Sequence, residues 1–73
     1  MAMNEMTQRF IALLEEDVAR EHEQAQHWRE LEKHGARLED INGKTIATAT
    51  EMVKKFIDRE KEFRNMIDQV RSA

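Results

Sequence analysis

Two glutamates at apolar positions of a helical pattern are the residues of this chain best placed to do chemistry. Glu60 occupies one position of an otherwise regular apolar seam. Glu21, with Asp17 and Gln24, interrupts the apolar face of the preceding segment. If the chain folds back near Asn42, Glu60 faces Gln24 and lies less than one helical turn from Glu21. Inward glutamates on facing helices hold the metal in di-iron bundles, so a metal site is one hypothesis.

The histidines do not complete such a metal site. Di-iron bundles add a Glu-x-x-His motif, whereas the pairs in this chain, Glu23/His27 and Glu30/His34, are spaced by four residues. His27 and His34 are two helical turns apart, about 10 Å, so one ion cannot take both from a single chain. The sequence therefore predicts no bound metal and no other cofactor.

A structural role for Glu21 and Glu60 is the favoured interpretation. Nearby bases such as Arg20 and Arg64 would neutralise them. A polar residue within an apolar seam can fix helix register or oligomeric state. Metal binding by these two glutamates stays as the less favoured alternative.

No enzyme signature is present in the sequence. It contains no cysteine nucleophile and no glycine-rich phosphate-binding loop. Residues 40–43 resemble part of a calcium-binding loop, but Leu38 and Ala49 stand where the first and last acidic ligands are required. We therefore expect a protein that is not an enzyme.

Charge argues against a dedicated nucleic-acid binder. The net charge is −3, and 37% of the residues are charged. Bases of the second half alternate with acids, which is typical of a solvated helix face. These bases are Lys54, Lys55, Arg59, Lys61, Arg64 and Arg71. Nucleic-acid binding through them is kept as the alternative function.

A heptad seam runs through the second half of the chain, with apolar residues at alternating spacings of three and four. Its positions are Ile46, Ala49, Val53, Phe56, Glu60, Phe63, Ile67 and Val70. Thr48 and Glu51 have the spacing of a capping box, and Thr45 is the rival cap. The pattern predicts a second helix over about residues 46–71, with the seam as core or interface.

The first half carries a longer and less regular apolar face, beginning after an expected helix cap at Asn4. Its members are Phe10, Leu14, Val18, Ala25, Trp28, Leu31 and Leu38. Trp28 is expected to pack in the core, with a role as a binding hot spot as the alternative. These spacings predict a first helix whose face is core or interface.

The connection between the helices has two interpretations. In the favoured one, the first helix spans about residues 5–41, and the chain turns near 42–44 at Asn42-Gly43. In the other, the helix stops at His34, before Gly35, and residues 36–44 form a loop with a short turn.

The predicted fold is all-α, a single domain over residues 1–73 that forms an antiparallel two-helix hairpin. A core this small is rarely stable alone, and without cysteine no disulfide can add stability. We therefore expect two hairpins to pair into a four-helix bundle, as a homodimer. The longest apolar run, residues 10–14, is far shorter than the ~20 residues of a membrane-spanning helix. The expected function is a cytoplasmic interaction protein that binds itself and an unidentified protein partner.

Overall fold

The computed structural model describes residues 4–72, which form two long helices joined by a short β-ribbon. The elements are α1 (Glu5–Lys33), β1 (Arg37–Glu39), β2 (Thr45–Thr48) and α2 (Ala49–Ser72). The two helices pack against each other along their length. The predicted antiparallel helical hairpin is confirmed, and the small antiparallel sheet corrects the all-α prediction.

Helix α1 begins where the sequence predicts, because the Asn4 side chain accepts a hydrogen bond from the Thr7 N–H at 2.8 Å. The expectation that α1 continues to residue 41 is wrong, since the helix ends at Lys33. Gly35 has φ +69°. Its N–H donates to the Glu32 carbonyl at 3.0 Å, and the Ala36 N–H donates to the Leu31 carbonyl at 3.1 Å. This pair of bonds is the Schellman motif, which ends a helix at a left-handed residue.

Residues 36–48, predicted as helix or as loop, instead form the β-ribbon. Arg37 pairs with Thr48 and Leu38 with Ala47, and an irregularity follows before Glu39 pairs with Thr45. The predicted turn at residues 42–43 is confirmed as the tip of this ribbon, with Gly43 at φ +82°.

Helix α2 begins at Ala49, three residues later than predicted, because Ile46 belongs to β2. The Thr48 hydroxyl accepts a hydrogen bond from the Glu51 N–H at 3.2 Å. Thr48 is therefore the helix cap, as the capping-box spacing predicts, and Thr45 is not. The helix ends at Ser72, close to its predicted end.

The helices meet along two heptad seams. Ile11, Leu14 and Ile67 form the buried cluster. Val18, Phe63 and Val70 pack against that cluster. Nearer the ribbon, Ala25, Ala49 and Val53 are also buried. The α1 seam is Ile11, Leu14, Val18, Glu21, Ala25 and Trp28, which alternates by three and four as the α2 seam does.

Three predicted core or interface residues lie outside the core of the single chain. Phe10 is 48% exposed, because the α1 seam passes through Ile11, which the sequence interpretation left out. Leu38 and Ile46 are exposed because they belong to the β-ribbon rather than to helices. Trp28, Leu31 and Phe56, also predicted as core or interface, are half-buried.

Candidate functional site

The helix pair has one charged side, formed by residues that follow the seam positions. Arg71 of α2 donates a hydrogen bond to Glu15 of α1 at 2.8 Å. His22 Nδ1 lies 2.8 Å from a Glu60 carboxylate oxygen, and Arg64 lies 3.7 Å from the same oxygen. Glu15, Arg64 and Arg71 also border an open surface groove. This side of the hairpin is therefore occupied by polar contacts, of which Glu15–Arg71 and His22–Glu60 link α1 to α2.

A polar layer crosses the hairpin where the seams contain Glu21 and Glu60. The Glu21 side chain is 4% exposed, and one of its carboxylate oxygens lies 3.3 Å from Arg59 of α2. Its other oxygen is buried and has no hydrogen-bond partner. Glu60 is 17% exposed and is held by His22 and Arg64. The two glutamates thus lie in one layer, and each is compensated by a base.

This layer forms ion pairs rather than a cluster of metal ligands. Of the bases expected to neutralise it, Arg64 contacts Glu60, whereas Arg20 pairs with Asp17. Arg59 takes the place predicted for Arg20, because it projects across the helix interface toward Glu21. Within residues 4–72 no group of three acidic, histidine or cysteine side chains is arranged to hold a metal ion.

The other two histidines lie apart from the layer. His27 contacts the Trp28 ring edge to face, with centroids 6.3 Å apart. His34 is the C-terminal cap residue of α1. Neither of these contacts involves Glu21 or Glu60.

The opposite side of the helix pair is apolar at the end of the hairpin where the helices are not joined. Met6, Phe10, Leu13 and Met66 are exposed there, and we call them the open-end patch. Phe10, Leu13 and Met66 each precede a buried residue of the central cluster by one position. In antiparallel helices, positions that precede the seam lie on the same side of the pair. The patch is therefore one continuous surface formed by both helices.

A second apolar group lies at the ribbon. Leu38 is 38% exposed, Ile46 62% and Ile41 100%, and we call these three residues the ribbon patch. The open-end and ribbon patches together contain every exposed large apolar side chain of residues 4–72. Residue 10 and the end of α1 are separated by about 35 Å of helix, so the patches lie at opposite ends of the molecule.

The sequence analysis expects Phe10, Leu38 and Ile46 as core or interface residues, but it does not predict the two patches, although signals for both exist in the sequence. Leu13 and Met66 lie beside seam positions and widen the apolar stripe on one side only. The Thr-Ile-Ala-Thr run of β2 is rich in β-branched residues, which favour strands. Four residues are too few to show the alternation of apolar and polar residues that marks a strand, and the helical spacing of the following residues obscures it.

Three bases proposed for nucleic-acid binding are engaged within the chain. Arg59 contacts Glu21, Arg64 contacts Glu60 and Arg71 contacts Glu15. A phosphate backbone would have to compete with these carboxylates for each arginine. None of the helices in the described part of the chain is long and apolar enough to cross a membrane.

Comparisons with protein-family models, with curated proteins and with solved structures find no match to this chain. The two apolar patches and the polar layer are the features of the molecule that bear on its function.

Proposed function

We propose that this protein is a small non-enzymatic interaction protein, an adaptor, chaperone-like subunit or regulator that acts through protein–protein contacts. The observation that carries the proposal is the open-end patch. Large apolar side chains exposed as a continuous surface mark an interaction site in a protein of this size. The first partner we assign to it is a second copy of the chain, which would complete a four-helix bundle.

The surface area of the chain supports self-association. Its accessible surface is 5906 Å². A compact protein of 8.7 kDa would expose about 4,700 Å². The excess of roughly 1,200 Å² is larger than the ~800 Å² that each partner of a typical stable interface buries.

Charge supports the use of the apolar side rather than the charged side. The Glu15–Arg71 ion pair and the His22–Glu60 hydrogen bond already connect the helices. Covering them would require removing water from several charged groups, which burial compensates poorly. Covering the exposed apolar side chains of Phe10, Leu13 and Met66 does not itself remove water from a charged group.

Sedimentation equilibrium tests the proposal. The wild-type chain should sediment above the 8.7 kDa of one chain at micromolar concentration. Leu13→Glu should lower the assembled mass, because Leu13 is 59% exposed in the patch and its replacement places a charge there. The matched control is Ala12→Glu, one residue away on an exposed part of α1, which should leave the mass unchanged.

A wild-type chain that stays monomeric throughout this range would contradict the bundle. An equal effect of Leu13→Glu and Ala12→Glu would show that the open-end patch is not the interface.

A further inference from the structure

The β-ribbon exposes nearly all of its surface. All three residues of β1 are exposed, and in β2 only Ala47 is half-buried. An isolated two-stranded ribbon is marginally stable, and further strands or a packed face normally support it. A ribbon with neither face covered is therefore suited to accept another strand.

The tip of the ribbon is held in place by its own hydrogen bonds. The Asp40 carboxylate accepts from the Asn42 N–H at 2.8 Å and from the Lys44 N–H at 2.9 Å. The Asp40 N–H donates to the Lys44 carbonyl at 2.8 Å, and the Gly43 N–H donates to the Asp40 carbonyl at 3.0 Å. These bonds fix where β2 begins and keep its backbone extended.

The two strands differ in how their outer edges are protected. β1 carries Arg37 and Glu39, which form an exposed ion pair at 2.8 Å. Charged side chains on an edge strand discourage pairing with another strand. β2 contains no charged residue, and three of its four residues are β-branched. The unprotected edge is therefore that of β2.

The ends of β2 make it complementary to itself. Lys44 precedes the strand, and Glu51 follows it in the first turn of α2. Two β2 strands related by a two-fold axis run antiparallel, as an isologous contact requires. The two-fold axis sets identical residues opposite each other, so each Ile46 lies across from the other copy's Ile46. Each Lys44 then lies across from the Thr48 that caps the helix bearing Glu51.

We propose that the β2 edge is a self-pairing site, at which two copies of the chain join their ribbons into a four-stranded antiparallel sheet. This site lies at the other end of the molecule from the open-end patch. It can form whether or not the helices of two copies form a bundle.

The test is made in the Leu13→Glu background, so that the open-end patch does not contribute to the measured mass. In sedimentation velocity, Leu13→Glu should form a dimer as its concentration rises. Leu13→Glu/Ile46→Lys should remain monomeric, because a lysine on β2 blocks the edge. The control Leu13→Glu/Ile41→Lys should still dimerise, since Ile41 is at the tip and outside β2. Ile46 is 62% exposed and Ile41 fully exposed, so both variants should fold, and circular dichroism checks this.

A covalent readout complements the mass measurement. The chain has no cysteine, so one introduced thiol reports on one contact. Leu13→Glu/Ile46→Cys should form a disulfide-linked dimer on mild oxidation, because the two copies of residue 46 lie beside the two-fold axis. The exposed helical position in Leu13→Glu/Lys54→Cys should cross-link much less.

A Leu13→Glu chain that stays monomeric, or an Ile46→Lys change that leaves its dimer intact, would overturn the ribbon proposal. Neither result bears on the four-helix bundle at the open-end patch. That bundle is tested by comparing the assembled mass of the wild-type chain with that of Leu13→Glu.

Discussion

Glu21 is the residue whose environment is least favourable for its own charge. One carboxylate oxygen is 3.3 Å from Arg59, and the other is buried with no hydrogen-bond partner. A buried charge that is incompletely paired opposes folding. Polar residues in helical seams can instead fix the register of the helices. We therefore interpret the Glu21–Arg59 contact as a device that aligns α1 with α2 at the expense of stability.

Replacing Glu21 by leucine should stabilise the fold. We expect Glu21→Leu to raise the free energy of unfolding by about 1–3 kcal/mol, because it removes a buried unpaired oxygen and adds apolar contact. Chemical denaturation measures the change. Glu15→Leu is the control, since Glu15 is 56% exposed in its ion pair with Arg71 and should change stability by less than about 1 kcal/mol. A destabilised Glu21→Leu protein would contradict this interpretation of the layer.

Residue-level prediction from the sequence succeeded where apolar spacing was unambiguous. In α2, Val53 and Ile67 were assigned to the seam and are buried. In α1, the sequence interpretation takes Phe10 rather than Ile11, because Phe10 is four residues before Leu14, as Leu14 is before Val18. The spacing from Ile11 to Leu14 and on to Glu21 fits the heptad only if a glutamate is accepted as a seam residue. That buried charge concealed the regular pattern.

At the scale of secondary-structure elements, the ends of the helices depend on single side chains. Asn4 and Thr48 cap the two helices as their types and positions predict. Gly35 ends α1 through its positive φ, as the alternative interpretation of the connection expects, whereas the favoured one keeps Gly35 within the helix. The β-ribbon could not be predicted because its strands are too short to show a strand period, and they stabilise one another only after α1 has ended.

Changing Gly35 distinguishes the two interpretations of the connection. Gly35→Ala should lower the free energy of unfolding by about 1–2 kcal/mol, because an L-residue with a side chain is strained at φ +69°. No atom lies within 4 Å of an added Cβ, so the loss reflects the backbone alone. Gly35→Asn is the matched control and should lose less, since asparagine tolerates this conformation better. In a continuous helix alanine would stabilise instead, so a gain measured by thermal unfolding would contradict the observed end of α1.

At the scale of the whole molecule, the hairpin is a narrow rod of 55 × 22 × 15 Å. Its radius of gyration is 16.4 Å, against about 11 Å for a compact domain of this length. A rod has little interior, which explains why few of residues 4–72 are buried and no large side chain among them is fully removed from water. The antiparallel hairpin followed from sequence periodicity, but the grouping of exposed apolar residues at the two ends depends on where each helix begins and ends.

The antiparallel register also sets the order in which the contacts can form during folding. Ala36 and Ala49 are joined by a backbone hydrogen bond across a short loop, whereas Glu15 and Arg71 are 56 residues apart. The entropy lost in closing a loop grows with its length. Contacts beside the ribbon should therefore form first, and the contacts between the helices should then form in order toward the open end. The buried cluster of Ile11, Leu14 and Ile67 would be among the last parts to assemble.

Folding kinetics of two truncations should show this order, measured by stopped flow in the Leu13→Glu background. Ile67→Ala should mainly accelerate unfolding, because its contacts are absent from the transition state. Val53→Ala, near the ribbon, should mainly slow folding. Comparable slowing of folding by both changes would contradict this order of contact formation. If the order holds, the lifetime of the folded chain is controlled from the end that closes last, and a partner bound there would lengthen that lifetime without speeding folding.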